Sequence, residues 1–408
     1  MTERSLLRLP DFRLLSANML LASIGMMGEV VLLGWLALEL TDSPFLVGLA
    51  MGARALPLFF VGVPAGVLAD RWPRHRLLIV TALGQTLTMG GLGAIIMTGT
   101  LRLPHLLVFT LASGAFRGLE HATRQSYAHD VVGGGALVRG LAVLGLAMRA
   151  GWLVGALGGG VLLAELGAGP AYLAVAASYL ASALVLLPVS SPPVSAAPSG
   201  ESVWRNVVGF ATLLRTDTML LALMVLTAGA EVLGFSHQTL LPSLARDVLK
   251  TGPEGLGVLN AARSVGGIVG LLASMHGGVM AAVGGGGGLF LAVLVGFGLS
   301  LVGLGAAPHV VGFAGVVLVL VVANALGALT DLLAQSLLQL TSPPHLRGRA
   351  GGAWVVAIGL APLGQLQIGA LGSLIGVSGA LAVSGVALVA VAGATSRIYP
   401  RLRKPRSL

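Results

Sequence analysis

The chain has 408 residues, of which 56% are hydrophobic and 10% charged, against roughly 25% charged residues in soluble domains. So few charges cannot coat a water-facing surface, and a charge facing hydrocarbon costs about 2.5–3.5 kcal/mol, so a soluble globular protein is excluded and the bilayer is the solvent. The net charge of +9 would suit a nucleic acid only on a basic soluble face; here most Lys and Arg fall in short connections between apolar runs, and no nucleic-acid partner is expected.

A membrane span needs about 20 apolar residues. The first such run, near 14–38, has no small-residue cleavage site after it, so it reads as a membrane helix and not as a signal peptide. Runs follow at 44–68, 77–99, 105–126, 137–165 and 170–188. A break over 189–217 begins Pro188-Val189-Ser190-Ser191-Pro192-Pro193. Beyond it, runs recur at 218–241, 254–276, 287–306, 310–338, 350–374 and 377–396. The expected fold class is all-α integral membrane, with twelve transmembrane helices in two pseudo-symmetric six-helix bundles. The bundles would span 1–188 and 218–396, joined by a cytoplasmic linker at 189–217 and followed by a basic tail at 397–408. Within the linker, Trp204 to Leu214 reads equally as a short surface helix or as a disordered segment. Cys is absent, which removes disulfides, thiolate metal sites and cysteine nucleophiles from consideration.

Lys and Arg set the orientation. With the N-terminus inside, the cytoplasmic side collects Arg4, Arg8, Arg13, Arg71, Arg74, Arg76, Arg124, Arg139, Arg205, Arg215, Arg347, Arg349 and the tail. The outside collects only Arg102, Arg246 and Lys250. The expectation is a multi-pass protein of the cell membrane with both termini cytoplasmic.

The two halves echo one another. Gly28-Glu29-Val30-Val31 returns as Ala230-Glu231-Val232-Leu233, and Gly48 to Arg54 returns as Gly257 to Arg263. Gln125-Ser126 returns as Gln335-Ser336, and Arg139-Gly140 as Arg347-Gly348. The matches keep their order at offsets of about 200–210 residues, as a duplicated six-helix unit would, and transporters are built from such repeats.

Between the second and third runs the chain reads Gly66-Val67-Leu68-Ala69-Asp70-Arg71-Trp72-Pro73-Arg74-His75-Arg76. This resembles the signature of the major facilitator superfamily, with Pro73 where that family usually has Gly. Further on, Ala122-Thr123-Arg124-Gln125 and Gly155-Ala156-Leu157-Gly158-Gly159 resemble the branch of bacterial siderophore and macrolide exporters, with His121 and Ala156 in place of two prolines. Leu346-Arg347-Gly348-Arg349 fits the corresponding loop of the second half, whereas His276-Gly277-Gly278 lacks the charges of the signature. The resemblance implies a two-lobed transporter working by alternating access, with Gly66, Asp70, Arg71 and Arg74 as its gating motif. Physics supports that role: Asp70 at a helix end can accept hydrogen bonds from a neighbouring helix N-terminus and pair with arginines in only one of two states. The arginines read alternatively as ordinary topology anchors.

Charges inside the spans are costly and mark a pathway by default. Glu29, Arg54, Arg117, Glu120, Arg149, Glu231 and Arg263 fall there, with Asp331 nearer one end of its span. At 1.5 Å per residue, Glu29 and Glu231 lie roughly 20 Å from the cytoplasmic face, and Arg54 and Arg263 roughly 15 Å from the other. Each Glu is thus near the depth of the next helix's Arg, and the pairs Glu29 with Arg54 and Glu231 with Arg263 are expected, either as static locks or as proton sites. Burial and a neighbouring guanidinium act in opposite senses on a carboxyl's hold on its proton, so such a site can be poised for exchange. Glu29 and Glu231 are the leading proton-coupling candidates, then Glu120 and Asp331, with Arg54, Arg263, Arg117 and Arg149 as charge partners. Arg117 and Glu120, at i and i+3, share one helix face and read equally as a local pair.

Asn324, Asp331, Gln335 and Gln339 recur along one helix face, and Glu231 and Gln238 along another, so these stripes are expected to line a cavity or another helix. His237 is a weaker candidate, since lone histidines are often hydrogen-bonded packing. Gly62 and Gly66, then Gly151, Gly155 and Gly159, then Gly266 and Gly270, repeat at four, the spacing that lets membrane helices approach closely. The Gly284 to Gly288 run reads as a flexible connection.

No phosphate-binding Gly-x-x-x-x-Gly-Lys-Ser/Thr loop, His-Glu-x-x-His or Gly-x-Ser-x-Gly is present, so neither ATP hydrolysis by that route nor hydrolase chemistry is expected. The scattered histidines suggest no metal site, and no cofactor is implied. The expected activity is proton-coupled export of a small amphipathic compound such as a drug, siderophore or metabolite, by a monomer. An importer or a lysophospholipid flippase of the same fold is the alternative, and a membrane enzyme or a sensor is the alternative from another class.

Overall fold

The computed structural model describes residues 6, 8–57, 60–61, 72–133, 136–189, 218–274, 287–341, 357 and 359–403. Gly66, Asp70 and Arg71 of the signature loop, the segment 204–214, and Arg347 and Arg349 lie outside these residues.

Helices follow one another in chain order: α1 (Pro10–Thr41), α2 (Pro44–Ala55), α3 (Arg74–Met97), α4 (Leu103–Val132), α5 (Leu137–Leu166), α6 (Ala168–Val185), α7 (Thr218–Val248), α8 (Gly252–Ser274), α9 (Gly288–Val310) and α10 (Gly312–Thr341). The last helical run, Ala361–Ile398, is broken at Gly376, whose φ of 75° and ψ of 166° are not helical. That break separates α11 (361–375) from α12 (377–398). A left-handed φ favours glycine because it has no Cβ to clash, so this residue turns the chain between two helices. Proline at the first or second position opens α1, α4 and α11, where its missing N–H has no helical partner to lose.

Nine helices among the described residues are long and apolar enough to cross a membrane, counting Ala361–Ile398 once. At 30 residues α4 is long enough to span but carries Arg117, Glu120 and Arg124 in its interior, which keeps it outside that set.

The residues group into two units. The first contains Met1–Asp42, Ala53–Gly200 and Thr251–Ala261; the second contains Ser43–Gly52, Glu201–Lys250 and Ala262–Leu408. Both use the same pairing scheme, and glycine sets it. In the first unit, a Cβ on Gly155 of α5 would overlap the Ile24 carbonyl of α1, and one on Gly114 of α4 would overlap the Arg54 carbonyl of α2. One on Gly93 of α3 would lie 3.1 Å from the Gly169 carbonyl of α6. In the second unit, Gly364 of α11 meets Val232 of α7, Gly266 and Gly270 of α8 meet the carbonyls of Val321 and Ala325 of α10, and Gly298 of α9 faces Gly385 of α12. First with fifth, second with fourth and third with sixth is thus the order in each half. Without a hydrophobic drive between helices in lipid, close backbone approach at small residues supplies the packing. Of the glycine repeats, Gly151, Gly155 and Gly159 lie against α1, and Gly266 and Gly270 against α10. Gly62 and Gly66 are outside the described residues.

The helix α7 is irregular. It runs as α-helix over Thr218–Gly229, as π-helix over Ala230–Gly234, as 3-10 helix over Phe235–Leu240, and again as π-helix over Leu244–Val248. Such insertions into an α-helix concentrate at functional sites, and Glu231 lies in the first of them.

Candidate functional site

Glu29 of α1 is met by side chains at the end of α2 and on α4 and α6, all of them residues of the first unit. Its residue exposure is 2%, in the middle of α1. Arg54, at the end of α2, donates through Nε to Glu29 Oε1 at 3.0 Å and through Nη2 to Oε2 at 3.3 Å. The same Nη2 donates to the Met26 carbonyl at 3.4 Å. Ser113 of α4 donates to Oε1 at 2.6 Å, and the Tyr179 hydroxyl of α6 donates to Oε2 at 3.4 Å. Gln85 of α3 supports the arrangement from behind by donating to the Ser113 carbonyl at 3.1 Å. The expected proximity of Glu29 and Arg54 is therefore present, as a buried, four-donor ion pair. Taking two charges out of water costs several kcal/mol each unless the remaining lone pairs are satisfied, and here Ser113 and Tyr179 do that.

Arg117 is one turn beyond Ser113 on α4, within electrostatic reach of Glu29, Arg54, Tyr179 and Glu120. Its Nη1 is buried and has no hydrogen-bond partner among the described residues. Of the two readings of Arg117 and Glu120, the local pair is absent among the described ion pairs. Glu120 binds Arg124 instead, at i and i+4, because four residues bring two side chains over one another on a helix as readily as three. Arg149 of α5 is half-buried, and its guanidinium lies 5.4 Å from the centroid of the Trp152 ring, in cation–π range.

The second unit is built differently, although its sequence echoes the first. Glu231 is half-buried in the π-helical part of α7 and is in no ion pair among the described residues. Arg263 of α8 donates to the Gln238 side chain, so the expected Glu231–Arg263 pair is corrected. The echo preserves residue type, but Glu231 lies in a π-helical turn and Gln238 in a 3-10 turn of α7, and it is Gln238 that Arg263 reaches. Asp331 of α10 is within electrostatic reach of Glu231. His237 is 1% exposed. Its Nδ1 is 2.8 Å from the Gly234 carbonyl, its Nε2 is 3.4 Å from Asn324 Nδ2, and its ring stands edge-on to Phe297. It is thus hydrogen-bonded packing and not an open lining residue. Asn324 and Gln335 are half-buried on α10, with Asn324 also donating to the Leu320 carbonyl at 2.9 Å. The side chain of Gln339 is outside the described set.

Of the gating motif, Arg74 is described. Its Nη1 donates to both carboxylate oxygens of Asp130, at 2.6 and 2.7 Å, and to the Ser126 carbonyl at 3.4 Å. Both partners are partly exposed.

The sequence reading missed Ser113 and Tyr179. Ser113 carried a signal, since it precedes Arg117 by four residues on the same face. Tyr179 carried none, because a tyrosine in an apolar span reads as packing until its hydroxyl finds a partner.

A family model described as Major Facilitator Superfamily matches residues 15–365. Among curated relatives, the enterobactin exporter EntS of Salmonella typhimurium is 29% identical over 403 residues, covering 97% of this chain and 94% of that protein. The EntS of Escherichia coli O81 is 27% identical over 404 residues with the same coverage. Among solved structures, a mutant of the nucleoside transporter NupG superposes with a TM-score of 0.76 at 12% identity, over 95% of this chain and 100% of that one. An inward-facing bacterial homolog of the human lysosomal transporter Spinster superposes with a TM-score of 0.74 at 14% identity, over 98% of each chain. The motif in sequence, the helical pairing repeated in both halves and these matches together establish that the chain belongs to the major facilitator superfamily, as a membrane transporter and not an enzyme.

Proposed function

We propose that this transporter is a proton-coupled exporter of a small amphipathic compound, working as a monomer by alternating access, with both termini in the cytoplasm. The observation that carries the coupling is the contrast between two carboxyls that the sequence treats as equivalents. Glu29 is locked by Arg54, Ser113 and Tyr179. Glu231 has no arginine partner among the described residues and has Asp331 in electrostatic reach. A carboxyl free of an arginine can exchange its proton without first breaking an ion pair, and its place in an irregular helix lets its surroundings change between states. Glu29 is accordingly a structural anchor, and Glu231, assisted by Asp331, is the coupling group.

Export is supported by the curated relatives, which are named as enterobactin exporters; a siderophore-like compound is therefore the first substrate class to try. The test is flux in proteoliposomes, with and without a pH gradient, for a panel of amphipathic compounds including siderophores. Accumulation driven by the gradient is expected for at least one of them. Equal flux with and without the gradient for every transported compound would refute proton coupling, and inward transport alone in cells would refute export.

A further inference from the structure

We infer that the first unit holds an anionic group of the transported compound, an organic carboxylate or a comparable planar oxyanion, on Arg117. The inference deepens the transport reading above and rests on it only for the word transported. Its basis is a count of acceptors. A carboxylate offers about four lone-pair sites, and Glu29 uses all of its own: Oε1 takes Arg54 Nε and Ser113, and Oε2 takes Arg54 Nη2 and Tyr179. No acceptor capacity remains on Glu29 for a second guanidinium.

The other nearby carboxylate is committed too, since Glu120 pairs with Arg124. Arg117 is thus left with a buried Nη1 that no acceptor among the described residues meets, while the residue as a whole is partly exposed. Among the described residues, two guanidiniums and one carboxylate give the cluster a surplus of one positive charge. Ser113, Tyr179 and Tyr172, the last a buried residue of α6 within electrostatic reach of Glu29 and Arg54, add only hydroxyls. Buried polar groups without partners are rare and call for explanation, the more so when charged. An incoming carboxylate supplies both missing elements: a counter-charge, and two oxygens in the plane that matches the guanidinium fork. Arg54 and Glu29 need not part for this, so recognition by Arg117 and coupling at Glu231 are separable.

The test uses the full chain in nanodiscs and equilibrium binding of matched pairs: 2-naphthoate against 2-naphthamide, and decanoate against decanamide. Each pair differs in charge and little in shape. The acids are expected to bind at least about tenfold more tightly than the amides, as a charge-assisted pair implies. Arg117→Gln should erase that preference at an unchanged melting temperature, and Arg117→Lys, which keeps the charge and loses the fork, should keep part of it. Equal binding of acid and amide, no binding of either, or a preference that survives Arg117→Gln overturns the inference. If Arg117→Gln does not fold, Arg117→Lys decides, with a weakened preference supporting the site and an unchanged one overturning it. A protein that prefers carboxylates yet shows no gradient-driven flux refutes proton-coupled transport and leaves the anion site standing.

Discussion

Arg54 Nε lies 3.0 Å from Glu29 Oε1 across α1 and α2, with the Ser113 hydroxyl closing on the same oxygen at 2.6 Å. Removing one member of such a buried pair strands the other. We expect Glu29→Met or Arg54→Met to cost about 3–5 kcal/mol each. The double substitution should cost less than the sum, by about 0.5–3 kcal/mol. Reversible unfolding in detergent measures all three, and strictly additive losses would mean that the two side chains do not support one another.

Glu231 behaves differently because no arginine among the described residues depends on it. Glu231→Gln should fold normally, lose pH-gradient-driven transport, and retain substrate binding and passive exchange, since the amide keeps the shape and removes only the titration. Full gradient-driven transport in this variant moves the coupling role to Asp331 or Glu120.

Packing between α1 and α5 depends on backbone contact. Gly155→Ala should destabilise by about 1–3 kcal/mol, because the new methyl would overlap the Ile24 carbonyl. Gly158, on the same helix, has open space where a methyl would project, with no neighbouring atom within 4 Å, so Gly158→Ala should be neutral or stabilising by at most about 1 kcal/mol. Melting temperatures of the two variants side by side check this.

Asp70→Asn should reduce transport sharply while leaving expression and membrane insertion intact, as expected of a carboxylate that stabilises one state of a cycle. By contrast Asp130→Asn, which opens the exposed contact with Arg74, should change stability by at most about 1 kcal/mol. Transport assays on equal amounts of inserted protein separate the two.

Reporter fusions near residue 195 and at the C-terminus should both report cytoplasm, as the placement of Lys and Arg requires. An external signal at either position would break the two-lobe topology.

The amino-acid sequence alone determined the solvent, the helices and the family. Hydrocarbon forces long apolar runs and banishes charge to their ends, so spans such as 137–165 and 218–241 were legible within a few residues at their starts. The duplication was legible because repeated units keep their small residues and intramembrane charges in order. What the tertiary structure alone decided is which charges meet. Glu29 with Arg54 and Glu231 with Arg263 look equivalent as text, but α7 leaves α-helical geometry at Ala230, and each change of helical pitch rotates the side chains that follow. Arg263 therefore meets Gln238, and Glu231 is in no ion pair with an arginine among the described residues. Likewise the filling of Glu29 by Ser113 and Tyr179, from helices 84 and 150 residues away, depends on hydrogen-bond directions across packed helices, and periodicity along one helix carries no trace of them.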